Sequence, residues 1–142
     1  SFAPEILRRV TLQDPMKAKK LKEALTQLAE EGVVQVFLPR DGAQAMVGVV
    51  GALQLDVLVD RLKAEYGLPI GFEQTRFSIC RWIDSDDKSE LQKFIDGNGS
   101  AVANDLDGAP VFLSPSAFQL NYDQERWKKL TFTDIKDYQV GE

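Results

Sequence analysis

The sequence predicts an α+β fold in which two helices cover one face of an antiparallel sheet, followed by a smaller α/β extension. Of the 142 residues, 44% are hydrophobic, which is enough for a buried core. Apolar residues recur either in short branched runs or at helical spacing, in the order strand, helix, strand, strand, helix, strand. Glycine and Asp-Gly pairs separate these segments, as is typical of turns.

The first predicted strand and helix lie within residues 5–32. EILRRVTL is rich in branched side chains, which favour strands. Asp14 is a good N-cap, and Pro15 suits the first helical position. Gly32 is expected to end the helix. The apolar residues between them recur at i, i+3, i+4 and i+7 and predict one buried helix face, formed by Leu21, Ala24, Leu25 and Leu28.

Two more strands, a second helix and a fourth strand follow. VVQVFLP and AMVGVV are predicted strands, and the Asp41-Gly42 pair between them is typical of a hairpin turn. The second helix is predicted to end at Gly67. The fourth strand is predicted to be GFEQTRFSICRWI. The buried stripe of the second helix is predicted to consist of Leu55, Leu58, Val59, Leu62 and Tyr66.

Gly48 and Gly51 lie where the third strand passes into the second helix. A phosphate loop needs a Lys-Ser/Thr pair after its glycines, but Gly51 is followed by ALQLD. A dinucleotide fingerprint needs a third glycine where Gln54 stands. We therefore interpret both glycines as positions where strand and helix approach closely.

This order of elements is that of the ferredoxin-like, split βαβ fold, and it predicts a first unit over residues 1–83. The extension over residues 84–142 is expected to pack on that unit. Asp86 or Asp87 is predicted to cap a short helix that DGNGS ends. Two short strands are predicted around Asp107-Gly108, and LTFTDI is predicted as the last strand.

The secondary structure of the segment AFQLNYDQERWKK is left open between a strand and a helix. Phe118, Leu120 and Tyr122 alternate as in a strand, whereas residues 123–129 have a helical pattern. The sequence also leaves open whether this half extends the first sheet or forms a second small unit.

Composition excludes several classes of function. Without histidine, Ser-His-Asp and Cys-His nucleophiles and most zinc sites are excluded. No apolar run approaches the ~18 residues of a membrane span, so we expect no membrane partner. Cys80, the single cysteine, is expected to be a core residue. The start SFAPEIL lacks methionine and suggests a piece of a larger protein.

The candidate site is a basic segment in an acidic chain. The net charge is −5, yet residues 8–22 hold six basic residues against Asp14 alone, a local charge of +5. Lysines in the first turns of a helix oppose the macrodipole, and phosphate contact is a physical reason to place them there. A solvated helix face is the alternative. Strand alternation puts Arg8 and Arg9 on opposite faces. The candidate RNA contacts are Arg8, Arg9, Lys17, Lys19, Lys20 and Lys22.

Other conspicuous residues have structural interpretations. Trp82 and Trp127 are predicted to be buried aromatics rather than base-stacking platforms. Asp84, Asp86 and Asp87 lack the glycine and distal glutamate of a calcium loop, so they are interpreted as an acidic helix start. We expect no catalytic, cofactor-binding or metal-binding residue in this chain.

Several blocks taken together resemble a known family. Five blocks in order are similar to the C-terminal domain of the peptide chain release factor 3 family of translational GTPases. They are FAPEIL, LAEEGVVQVFLP, VGVVGALQLDVLVDRLKAEYG, RWI and LNYDQERW. The first half is also similar to domain III of elongation factor G. The later block LNYDQERW favours the release factor.

The resemblance implies a bacterial cytoplasmic factor that removes class I release factors from the ribosome. It implies that GTP and Mg²⁺ bind an upstream domain, and that this chain is a monomeric, non-catalytic part in contact with the ribosome and with the upstream GTPase and β-barrel domains. Two alternatives remain. One is a small-molecule-binding regulatory domain. The other is an acylphosphatase-like hydrolase, although TLQDP lacks the glycine of an anion-binding loop.

Overall fold

The computed structural model describes residues 1–136, which form eight strands and four α-helices joined in part by two short 3₁₀ turns. The α+β class is confirmed, because every strand pairing among these residues is antiparallel. The first half contains β1 (Ile6–Leu12), α1 (Ala18–Glu30), β2 (Gln35–Pro39), β3 (Met46–Val49), α2 (Leu53–Tyr66) and β4 (Ile70–Glu73). The second half contains β5 (Ile79–Asp84), α3 (Lys88–Gly97), β6 (Val102–Asn104), β7 (Pro110–Ser114), α4 (Ala117–Arg126) and β8 (Thr131–Thr133).

The eight strands form one continuous sheet in the order β4-β1-β3-β2-β6-β7-β5-β8. The second half therefore extends the first sheet, which answers the question that the sequence left open. Within the sheet the two halves join through β2 and β6, which share the residue pairs Leu38–Asn104 and Pro39–Ala103. They also meet where Phe2 forms an antiparallel bridge with Ile135.

The prediction of a single fourth strand is wrong. GFEQTRFSICRWI contains β4, which pairs with β1 at one edge, and β5, which pairs with β7 and β8 near the other. Polar residues 74–76 interrupt the apolar pattern, and the buried Phe77 then leads into the core of the second half. The division at residue 83 stays a prediction, and residues 137–142 of the predicted extension lie outside the described residues.

The outer core of the first half lies between its sheet and helices α1 and α2. All four residues of the predicted α1 face are buried. In α2, Leu58 and Leu62 are fully buried, whereas the rest of the predicted stripe is partly buried. Burying each aliphatic side chain contributes roughly 1.5–3 kcal/mol. No helix in the described residues is long and apolar enough to cross a membrane.

The opposite face of the first half is covered by the second half of the sheet. Leu7, Phe37 and Met46 pack there against residues of β5, β6 and β7, including Trp82. Cys80 lies in the same core, and burial raises the pKa of its thiol to about 12, as expected of a core cysteine.

Helices α3 and α4 cover the outer face of the second half. The ring of Phe94 makes edge-to-face contacts with Phe112, Trp127 and Phe132, at centroid distances of 5.0, 5.3 and 5.6 Å. The predicted burial is confirmed for Trp82, which is 7% exposed, whereas Trp127 is only partly buried and packs against this aromatic cluster.

The strand alternative for residues 118–122 is wrong. The Ser116 side chain caps α4 by accepting a hydrogen bond from the Gln119 N–H at 3.0 Å, so the segment is helical from Ala117. Leu120 faces the core, whereas Phe118 and Tyr122, one turn apart, are exposed. The alternating apolar pattern therefore arose from one buried and two solvent-facing positions of a helix.

The interpretation of the two glycines needs correction. A Cβ atom on Gly48 would lie 2.4 Å from Pro4 Cγ and 3.1 Å from Phe37 Cε2. Close approach is therefore real at Gly48, but its neighbours belong to the face away from the helices. A Cβ on Gly51 would meet nothing within 4 Å, so close strand–helix packing does not explain that glycine.

Candidate nucleic-acid interface

The start of α1 presents four lysines. The Asp14 carboxylate accepts a hydrogen bond from the Met16 N–H at 3.0 Å and starts a 3₁₀ turn over Pro15–Lys17, which continues into α1. Because Leu21 must face the core, its neighbours along the helix turn toward solvent. We call the resulting group the lysine surface; it consists of the half-buried Lys17 and the exposed Lys19, Lys20 and Lys22.

The charges of the lysine surface are not neutralised by neighbours. The seven ion pairs found within residues 1–136 all lie outside residues 8–22. The first turn of α1 also contains no acidic residue. Cations at this end of a helix oppose its dipole, so the four ammonium groups raise the local positive potential. Such a surface attracts phosphate.

The two arginines of the predicted site do not both join this surface. Arg8 shares the helix-covered side of β1 with Ile6 and Val10, and its Nη1 donates to the carbonyl of Leu7 at 2.8 Å. Arg9 lies on the opposite side, across from Glu73 of β4. The sheet therefore separates Arg9 from Arg8, as strand alternation predicted. Among the six predicted contacts, the four lysines share the start of α1, and the two arginines lie on β1.

A groove that the sequence did not predict borders the lysine surface. It has a volume of about 480 Å³ and lies between the start of α1 and residues 36–45 of the β2–β3 hairpin. Leu21, Leu25 and Leu38 give it an apolar lining, and Lys22 stands at its edge. Because its walls come from segments that only the fold brings together, no local sequence signal marks it.

A second surface that the sequence analysis missed lies at the start of α2. Val50, Leu53 and Val57 are 69%, 74% and 40% exposed, respectively. We call these three residues the α2 apolar patch. Leu53 and Val57 are one helical turn apart, a spacing that could have revealed a second apolar face of α2, and Val50 lies just before the helix begins.

The acidic cluster at the start of α3 has the predicted structural role. The Asp87 carboxylate caps the helix by accepting hydrogen bonds from the Ser89 and Glu90 N–H groups, each at 3.1 Å. Asp84 pairs with Lys88 at 2.8 Å, and this hydrogen bond holds the pKa of Asp84 below its usual value. Within the described residues, no three acidic, cysteine or histidine side chains are arranged to hold a metal ion.

Comparison with known proteins gives consistent results. The family model described as "Class II release factor RF3, C-terminal domain" matches residues 1–124. Proteins named "Peptide chain release factor 3" from Nitrosomonas europaea and Nitrosomonas eutropha are 38% and 39% identical to the chain over 137 residues. These matches cover 96% of the chain and 26% of each relative, so the chain spans about a quarter of the length of these curated relatives.

Proposed function

The chain belongs to the release factor 3 family, in the part described as its C-terminal domain, and from this we propose that it is the non-catalytic, ribosome-interacting domain of a translation-termination GTPase. In this proposal the parent protein promotes dissociation of class I release factors from the ribosome. GTP and Mg²⁺ bind an upstream domain of the parent rather than this chain. The parent acts as a monomer in the cytoplasm.

The lysine surface is the observation that carries the proposed ribosome contact. Its four ammonium groups make no ion pair within the described residues. Each phosphate that a lysine neutralises releases condensed counterions, so such contacts make binding strongly salt-dependent. Arg8 and Arg9 remain candidate contacts, but the opposite orientations of the two side chains allow at most one of them to act with the lysines.

We further propose that β1, α1, β2, β3, α2 and β4 form a ferredoxin-like unit. The order β4-β1-β3-β2, the antiparallel pairings and the packing of both helices against one face support this assignment. The placement of β5 among the strands of the second half supports an end of this unit near Glu73 rather than at residue 83.

The regulatory alternative is supported by the groove beside α1. Ligand pockets combine an apolar lining with a few convergent polar groups that fix the ligand's orientation. Here every buried side-chain polar atom in the described part of the chain already has a hydrogen-bond partner, and Lys22 is the single charged residue in the lining. The ribosome-interacting function is therefore the better supported of the two.

A salt titration of ribosome binding tests the lysine surface. In the parent protein, Lys17, Lys19 and Lys20 are replaced together by glutamine, which keeps helix propensity nearly unchanged. Ribosome affinity should fall, and the slope of log K against log salt should decrease by roughly 2–3 if all three lysines meet phosphates. Unfolding of the variant should occur at the same or a slightly higher temperature, because unfavourable dipole interactions are removed.

A control variant separates this local effect from net charge. Replacing the exposed lysines Lys63, Lys93 and Lys128 by glutamine removes the same number of charges elsewhere on the chain. The control should leave the salt slope within the error of the unsubstituted protein. If the two triple variants have equal slopes, the lysine surface is only a solvated helix face and the proposed contact is wrong.

A further inference from the structure

The α2 apolar patch and the lysine surface lie at opposite ends of β1. Helix α2 follows β3, whose last residue, Val49, pairs with Ile6 at the start of β1. Helix α1 instead follows Leu12, the last residue of β1. The strand contains 7 residues. At the usual rise of a strand this length corresponds to roughly 20 Å, which separates the two surfaces along the strand.

The patch continues into the first residues of the chain. Val50 and Phe2 line the same cavity of about 460 Å³, and Phe2 is 71% exposed. Glu5, Arg81 and Asp134 contribute charged groups to the lining of this cavity. Contiguous exposed apolar residues bordered by charges have the composition of a protein-binding surface, in which a dry apolar centre is surrounded by a polar rim.

Local charge disfavours RNA as the occupant. Of the cavity's three charged residues two are acidic, and Asp56 in the first turn of α2 stands beside Val57. A phosphate backbone would be repelled here, whereas an apolar protein surface would be stabilised by burying Leu53 and Val57.

The relatives indicate which protein surface is available. The match covers 26% of each relative and belongs to a domain described as C-terminal, so about three-quarters of each relative lies outside it. In such a protein the preceding segment joins this region at the position of Ser1, next to Phe2. A preceding domain is thus held close to the α2 apolar patch, at a high effective concentration.

We propose that the α2 apolar patch, together with Phe2, is the docking surface for a preceding domain of the same polypeptide. This inference rests on the proposed function, in which the chain is one domain of a larger factor. Docking at this end of β1 leaves the lysine surface, at the other end, free to face the ribosome.

Thiol labelling tests the docking surface. Leu53→Cys is compared with Phe118→Cys, which introduces a thiol on α4 at a side chain that is 81% exposed, in both the 142-residue chain and the parent protein. Cys80 is buried in the chain, and mass spectrometry of the peptides identifies the labelled site in both proteins. Maleimide should modify Leu53→Cys at least about tenfold more slowly in the parent than in the chain, and Phe118→Cys at similar rates in both.

Hydrogen exchange of the unsubstituted proteins gives the same comparison without altering the patch. The amides of α2 should exchange more slowly in the parent than in the chain, whereas those of α4 should not change. This measurement keeps the test decisive if Leu53→Cys itself weakens docking.

Three results would overturn the docking proposal. Equal labelling rates in chain and parent would show that no domain covers the patch. Protection of the parent only after ribosomes are added would assign the patch to the ribosome. Protection of the 142-residue chain that grows with its concentration would assign it to self-association. The labelling of free protein does not depend on ribosome affinity, so failure of docking and failure of the lysine contact are read out separately.

Discussion

Replacing Gly48 by alanine should destabilise the fold, although alanine is normally the better strand residue. The added Cβ would lie 2.4 Å from Pro4 Cγ and 2.7 Å from Pro4 Cβ. Carbon atoms prefer a separation of about 3.5–4.0 Å, so Pro4 or strand β3 must move by roughly 1 Å. Pro4 cannot move easily, because the neighbouring amides of Ala3 and Glu5 donate to the carbonyls of Asp134 and Val49 at 2.7 and 3.1 Å.

The expected cost is that of overpacking a buried site, about 1–3 kcal/mol. For a domain of this size each kcal/mol lowers the midpoint of thermal unfolding by roughly 2–4 °C. Gly51→Ala is the matched control, since its Cβ would meet nothing and its backbone is not left-handed. Restricting the unfolded chain there should give a change between zero and a gain of about 1 kcal/mol.

Urea and thermal unfolding of the two variants give the comparison, and a double-mutant cycle identifies the contact. Pro4→Gly removes the two nearest of the three atoms that the new Cβ would meet and leaves only Phe37 Cε2 at 3.1 Å, so Gly48→Ala should cost at least about 1 kcal/mol less in that background. Gly48→Ala unfolding at or above the midpoint of Gly51→Ala would refute the reasoning. So would an unchanged cost in the Pro4→Gly background.

Two further changes test the second half of the chain. Asp87→Ala should lower the free energy of unfolding by about 1 kcal/mol, because it removes the cap of α3. The same change at the exposed neighbour, Asp86→Ala, should be nearly neutral. Equal effects of the two changes in urea titrations would contradict the assignment of the cap. Burial alone would raise the pKa of Asp105, but hydrogen bonds from Lys136, the Ala109 N–H and Trp82 outweigh it and lower that pKa. This carboxylate therefore contributes stability above its unfolded pKa of about 3.9 that is lost as the pH falls through the folded value. Asp105→Asn should accordingly flatten the acid limb of stability against pH, and an unchanged limb would show that Asp105 does not contribute to it.

The helices show which features can be predicted from the local sequence pattern. The spacing of Leu21, Ala24, Leu25 and Leu28 requires only helical geometry, so the buried face of α1 was predictable. Gly32 and Gly67 adopt φ of +81° and +63° after α1 and α2, because glycine alone tolerates this conformation at no steric cost. Local rules were insufficient for α4, where the strand-like alternation of Phe118 and Tyr122 competed with a helix that its Ser116 cap and the core below Leu120 stabilise.

Some features of the candidate site could likewise be predicted from the sequence, whereas others depend on the folded structure. The +5 charge of residues 8–22 was visible in the sequence, and so was the opposite orientation of Arg8 and Arg9. The absence of acidic partners for the lysines within the described residues depends on where distant carboxylates fall, which only the folded chain decides. The groove beside α1 likewise exists only because β2 and β3 lie next to that helix.

By itself the sequence determined the α+β class, the elements of the first half from β1 to α2, the basic segment and the family, since each rests on periodicity, turn chemistry or ordered motifs within single stretches of chain. The tertiary structure decided that the sheet continues through β2 and β6, that the chain divides GFEQTRFSICRWI between distant positions in the sheet, and that Gly48 meets Pro4. These features depend on contacts between residues far apart in sequence. Such contacts form only when burial of the central core brings the two halves together.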